Sequence, residues 1–162
     1  KIACMAQLVN TIAPIRTVAG GGAVRETIFY PLLHTSRLGR GTVLDLQVRS
    51  PHYENDEFDT VPLLDAVATL NEASEEVTIF AVNRSQDSPL PLEGDLRGVA
   101  GYGVVEHLVM EHADPRAVNT VEQPDTVVPH NRGDASLADG RLTATLPKLS
   151  WNVIRLSKAA GR

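Results

Sequence analysis

Ile2-Ala3-Cys4-Met5-Ala6 is a short uncharged run without alternation, the pattern of a strand buried on both faces of a parallel sheet. Such a strand needs parallel neighbours, because buried N–H and C=O groups left unpaired are costly. No second run of this kind followed by a crossover helix occurs downstream. The run therefore predicts a stave whose mates lie on sequence N-terminal to Lys1, and a chain opening on Lys rather than Met agrees with that. Cys4, the single cysteine, is expected as a small core residue. Having no partner, it excludes a disulfide framework and a thiolate metal site.

Gly20-Gly21-Gly22 predicts a loop, since three glycines carry a maximal entropic cost in any regular element. Beyond it, Ile28, Phe29, Leu32 and Leu33 fall at helical spacing between Arg25 and Arg37, with Gly39 placed to end the helix. Pro31 inside that pattern must start the helix or kink it. Residues 1–40 thus read as strand, long loop and helix, one βα unit.

From residue 41 the pattern changes to period two. Thr42 to Arg49 alternates, and so do Leu63 to Leu70, Glu76 to Asn83, Val104 to Glu111, Leu142 to Leu146 and Trp151 to Leu156. Short strands separated by Pro, Gly, Asn and Asp predict an antiparallel β-sandwich or jelly roll over residues 41–158. Asn71 to Glu75 supplies one turn, and Asp139-Gly140 is the cleanest hairpin signal. The fold class expected is mainly β, with the sandwich preceded by one βα unit.

A length of 162 residues is enough for one or two domains with a proper core. A net charge of −5, with the basic residues scattered singly, argues against nucleic-acid binding. No apolar run approaches the roughly 18 to 20 residues of a membrane helix, and no signal segment opens the chain. A soluble, cytoplasmic protein is expected, with no membrane partner and no cofactor.

Ala6-Gln7-Leu8-Val9-Asn10, Ile12-Ala13-Pro14-Ile15, Thr27-Ile28-Phe29-Tyr30-Pro31 and Gly39-Arg40-Gly41 resemble the end of the catalytic barrel in α-L-arabinofuranosidases of glycoside hydrolase family 51. Ile79 to Arg84, Asn119-Thr120, Val127 to Pro129, Leu146-Pro147 and Ser150 to Ile154 resemble that family's C-terminal β-domain. The resemblance runs from about residue 2 to residue 156, and its specificity lies in the order and spacing of the fragments. It implies that residues 1–40 are the last strand and helix of a (β/α)8 barrel. It also implies an intact protein that releases terminal arabinofuranose, with retention, from arabinan- or arabinoxylan-type oligosaccharides or polysaccharides. Retention needs two carboxyl groups roughly 5 to 5.5 Å apart; in the family both are glutamates on earlier barrel strands, so no catalytic residue is expected on this chain. A homo-oligomer is expected, as is common in the family.

The resemblance makes Gln7 a substrate-binding residue at the carboxyl end of the last strand. That position fits the rule that barrel chemistry is built at the C-terminal face, and an amide both donates to and accepts from sugar hydroxyls. Asn10 is the second candidate for substrate binding, with a loop-shaping role as its alternative. Val24-Arg25-Glu26-Thr27 departs from the family's Trp-Arg-Gln-Thr, losing an aromatic and gaining a carboxylate. Two other readings of the chain are a non-catalytic carbohydrate-binding sandwich and a structural or oligomer-forming β-domain. Aromatic residues at 4% count against the first of these, because binding platforms usually need several coplanar rings.

The remaining polar clusters read as structural. Glu75 and Glu76 are adjacent and point to opposite faces. Asp56, Glu57 and Asp59 with His52 lack a calcium-loop spacing and read as a polar surface loop. His107 and His112 face opposite ways in a strand, so no metal site is expected. Gly101-Tyr102-Gly103 reads as a turn, and Trp151 as a packing residue.

Overall fold

The computed structural model describes residues 4–98 and 101–158, and is mainly antiparallel β. In chain order the elements are β1 (Ile15–Thr17), β2 (Ala23–Arg25), α1 (Phe29–Leu38), β3 (Thr42–Leu44), β4 (His52–Asn55) and β5 (Asp59–Pro62). They continue with β6 (Leu64–Asn71), β7 (Glu76–Asn83), β8 (Leu90–Asp95), β9 (Tyr102–Met110), β10 (His130–Asn131), β11 (Ser136–Ala138), β12 (Arg141–Leu146) and β13 (Ser150–Lys158).

A six-stranded sheet runs β10-β9-β13-β7-β6-β3 and a three-stranded sheet runs β11-β12-β8. Period-two placement sends Val77, Ile79 and Ala81 of β7 and Ile154 and Leu156 of β13 to one side, where they meet Leu90, Leu92, Leu142, Ala144 and Leu146 of the smaller sheet. Leu146, Ile154 and Leu156 are wholly buried, each stabilising the fold by about 1.5–3 kcal/mol relative to exposure. The other face of the large sheet carries Phe80 and Trp151, and α1 lies over it: the His34 and Trp151 rings are 5.8 Å apart and those of Phe80 and Trp151 6.3 Å.

The turns follow from local chemistry. Asp139 (φ 49°) and Gly140 (φ 74°) both adopt the left-handed region, as a two-residue hairpin between Ala138 and Arg141 requires. At the β6–β7 turn, Asn71 Oδ1 accepts from the Ala73 and Ser74 amides. Gly41, at φ 120°, joins α1 to the sheet, and a Cβ there would lie 2.1 Å from Leu70 O.

Several expectations are corrected. Ile2 and Ala3 of the expected opening strand lie outside the described residues; Cys4, Met5 and Ala6 belong to no strand among the described residues, and Cys4, expected in a core, is exposed on this chain. Among the described residues the segment has no ladder mate, only an isolated bridge from Val9 to Ile15. The glycine loop closes a β1–β2 hairpin rather than standing alone. The helix begins at Phe29, not Arg25, with Pro31 in its first turn where a missing N–H costs nothing. Gly39 does cap it, but at φ −83°; glycine is required there because a Cβ would meet Thr35 O at 2.7 Å. The strand from Thr42 stops at Leu44, and the chain to Arg49 leaves the ladder, lining a cavity with Leu64, Leu92 and Leu142 between the two sheets. Tyr102 and Gly103 are strand residues, and only Gly101 is in the turn.

Candidate functional site

The loop that carries the two site candidates is shaped from within. Asn10 (φ 63°) and Thr11 (φ 56°) both sit in the left-handed region, which asparagine tolerates and a β-branched residue adopts only under constraint. The constraint is a set of hydrogen bonds: Asn10 N donates to Ile15 O at 2.7 Å, and Ala13 N donates to Asn10 O at 3.0 Å. Asn10 Oδ1 accepts from the Thr17 amide at 2.7 Å and from the Thr17 hydroxyl at 3.0 Å. The Asn10 carbonyl oxygen is thereby committed to the loop. Gln7, three residues earlier, is exposed, as are Leu8 (68%) and Ile12 (67%).

This loop is anchored to the sandwich through β1 and β2. Arg16 Nε meets Glu26 Oε1 at 2.5 Å, and Arg16 Nη2 donates to Asn119 O at 3.2 Å. Asn119 is fully buried; its Nδ2 donates to Arg25 O (2.9 Å) and Val127 O (3.1 Å), and its Oδ1 accepts from Val127 N (2.7 Å). The Arg25 guanidinium lies 5.8 Å from the Phe29 ring centre and 5.6 Å from that of Tyr30, and pairs with Asp125 at 3.6 Å. Burial raises the Tyr30 phenol above its ordinary pKa, against the opposing pull of Arg25. The carboxylate gained at Glu26 is therefore an anchor for Arg16 rather than a free acid. Arg16 and Asn119 were not singled out as functional from sequence; Asn119 lies outside any helix or strand, where no periodicity marks it.

A separate cleft of about 530 Å³ opens where the ends of β7 and β9 and the start of β13 approach the β4–β5 hairpin. Val82, Met110 and Trp151 line it together with Tyr53, Arg84 and Gln86. Neither Gln7 nor Asn10 is among its lining residues.

The other polar clusters are accounted for. Glu75 pairs with Lys158 at 2.6 Å and Glu76 with Arg155 at 2.7 Å, so the two carboxylates diverge. Asp56, Glu57 and Asp59 belong to a β4–β5 hairpin rather than an irregular loop, and Asn55 Oδ1 accepts from the Glu57 and Phe58 amides. His107 is wholly buried in β9, with Nε2 3.3 Å from Asn152 Oδ1 and Nδ1 2.5 Å from Asp134 Oδ1, the latter outside hydrogen-bonding alignment. His112 lies past the end of β9 and is bound through Nδ1 to the main chain of Asp114. Burial lowers the His34 pKa, opposed by Glu106 and reinforced by Arg37. Among the described residues no group of three or more His, Cys, Asp or Glu is placed to hold a metal ion, and no helix is long and apolar enough to cross a membrane.

A family model for the α-L-arabinofuranosidase C-terminal domain matches residues 1–150. An intracellular exo-α-(1→5)-L-arabinofuranosidase of Halalkalibacterium halodurans is 53% identical over 98% of this chain and 31% of its own length. The protein of the same description from Streptomyces lividans is 50% identical over 98% of this chain and 24% of its own. A solved family 51 α-L-arabinofuranosidase from Bifidobacterium longum superposes with a TM-score of 0.86 at 35% identity, covering 93% of this chain and 29% of that one. A family 51 arabinofuranosidase from Xanthomonas axonopodis pv. citri, at 22% identity and a TM-score of 0.83 over 94% of this chain and 30% of that one, shares the fold. The chain spans less than a third of the length of each of these relatives.

Proposed function

The chain belongs to the α-L-arabinofuranosidase C-terminal domain family, and from that premise we propose that it is the C-terminal portion of a retaining, exo-acting α-L-arabinofuranosidase. In this reading residues 1–40 are the last stave and helix of the catalytic barrel and residues 41–158 are the β-domain joined to it. The observation that carries the reading is the exposed apolar stretch before β1. Met5, Leu8, Val9 and Ile12 are 37–68% exposed, although their loop is fixed by the Asn10 hydrogen bonds and anchored through Arg16. An ordered segment that exposes four large apolar side chains within eight residues is a surface made to be covered. The neighbouring barrel staves are the cover.

Gln7 then faces the sugar from the end of that stave, donating and accepting through its amide, and Asn10 holds the loop that aims it, through its bonds to Thr17. The two glutamates that perform retention belong to the barrel's earlier strands. Substrates are arabinan-type oligosaccharides, with the (1→5) linkage supported by the descriptions of the relatives from Halalkalibacterium halodurans and Streptomyces lividans. Those descriptions also support a cytoplasmic location. A homo-oligomer is part of the same reading.

The test is product analysis on the intact protein. Incubation with α-(1→5)-arabinotriose should release arabinose from the non-reducing end, one unit at a time, with the first-formed anomer matching the substrate. Internal cleavage or anomeric inversion would reject the assignment.

A further inference from the structure

We propose that the cleft between Tyr53 and Trp151 is a binding subsite for a neutral sugar chain. For the kind of sugar, arabino-oligosaccharide, this rests on the glycosidase reading above; the cleft itself is argued from its own geometry.

Its volume, about 530 Å³, is that of a small-molecule site able to take two or three sugar units. It carries an aromatic side chain from each of two elements. Trp151 is half-buried on β13, held by Phe80 and His34, and still contributes to the lining; Tyr53, 39% exposed, stands on the β4–β5 hairpin. Indole and phenol rings offer the apolar faces on which the C–H side of a sugar packs, each with a polar tip for hydroxyls. Two rings on separate elements make a cleft rather than a flat platform, so a low aromatic content is no obstacle.

The polar lining disfavours an anionic ligand. Arg84, the one Arg or Lys of the lining, is already engaged: its Nη2 pairs with Asp65 at 2.7 Å and its Nη1 donates to Pro62 O at 3.1 Å. Glu111 lies 3.5 Å from Arg132, and Asp114 Oδ1 accepts the Arg116 amide at 2.9 Å. The Tyr53 hydroxyl, the Trp151 Nε1–H, the Gln86 amide and the Thr27 hydroxyl, all on lining residues, have no hydrogen-bond partner among the described residues, and the carboxylates of Glu111 and Asp114 keep a free oxygen each. Nε2 of His112 is also left over, because its Nδ1 is bound by Asp114. Several uncharged donors and acceptors and two carboxylate acceptors beside two aromatic side chains suit the hydroxyls of a neutral sugar chain, while the engaged Arg84 leaves no free Arg or Lys in the lining for an anion.

The test uses the intact protein in native affinity gels cast with debranched α-(1→5)-arabinan. Wild type should be retarded, and Tyr53→Ala combined with Gln86→Ala should weaken the retardation about fivefold or more. Phe58→Ala, at the 67% exposed tip of the same hairpin and outside the cleft, should migrate as wild type, which separates loss of the subsite from disturbance of the hairpin. Retardation of the double variant equal to that of wild type, or no retardation of wild type, overturns the proposal. Turnover of an aryl arabinofuranoside by wild type, measured separately, reports on the glycosidase reading alone.

Discussion

Replacing Asn83 with alanine should destabilise the sandwich by about 3 kcal/mol. Asn83 ends β7, is wholly buried, and forms the polar knot between the two sheets. Its Nδ2 donates to Pro147 O (2.9 Å) and Leu146 O (3.0 Å), with Ser88 O further off at 3.3 Å, and its Oδ1 accepts from Ser85 N at 2.9 Å. Three well-formed bonds at a net of about 1 kcal/mol each give the estimate, and the main-chain groups left unpaired act in the same direction. Asn83→Asp should be worse at neutral pH, although it keeps the Ser85 acceptor. It turns both donors into acceptors facing carbonyls and buries a charge, so the aspartate pKa in the folded state is raised above its unfolded value of about 3.9. A raised folded pKa means the native state holds the proton more tightly. The Asp variant should therefore regain stability as pH falls from 8 towards 5. Urea unfolding is read by Trp151, the one tryptophan of the chain, whose neighbour Ser150 pairs with Asn83 in the β13–β7 ladder. A loss below about 1 kcal/mol for the alanine variant at an unchanged m-value, against the bond-by-bond figure above, would refute the reasoning.

Two further outcomes follow from the geometry. Gly41→Ala should abolish or severely lower cooperative unfolding, because the added Cβ would sit 2.1 Å from Leu70 O at φ 120°, whereas Gly103→Ala, with open space around it, should shift the urea midpoint little. Gln7→Ala in the intact protein should lower kcat/KM on an arabino-oligosaccharide by about 1–3 kcal/mol of barrier, as loss of a sugar hydrogen bond predicts; unchanged kinetics would remove Gln7 from the site.

The strands that were legible in the sequence are those with one face in the core. Val77, Ile79 and Ala81, and Leu142, Ala144 and Leu146, alternate because only one side of each set meets the opposite sheet. The Asp139-Gly140 turn was legible because its backbone demands residues tolerant of positive φ. Three kinds of element were not. β8 contains Pro91 and Gly94, which read as strand breakers but are tolerated at the edge of the three-stranded sheet. The β4–β5 hairpin is exposed along almost its whole length, so no apolar period marks it. The strand from Thr42 overran because Leu46 and Val48 keep the alternation after the chain has left the ladder for the seam between the sheets. In the candidate site, Gln7 and Asn10 stood out only through resemblance; Arg16, Glu26 and Asn119, which anchor their loop, are joined by contacts up to 103 residues apart in sequence that no local pattern encodes.

Turnover of an aryl α-L-arabinofuranoside, compared between residues 1–162 alone and the intact protein under identical conditions, tests the central claim most directly. The account predicts hydrolysis by the intact protein and none by the 162 residues, since the two glutamates of retention are assigned to the barrel's earlier strands. Equal turnover by both, or an inactive intact protein, would contradict it.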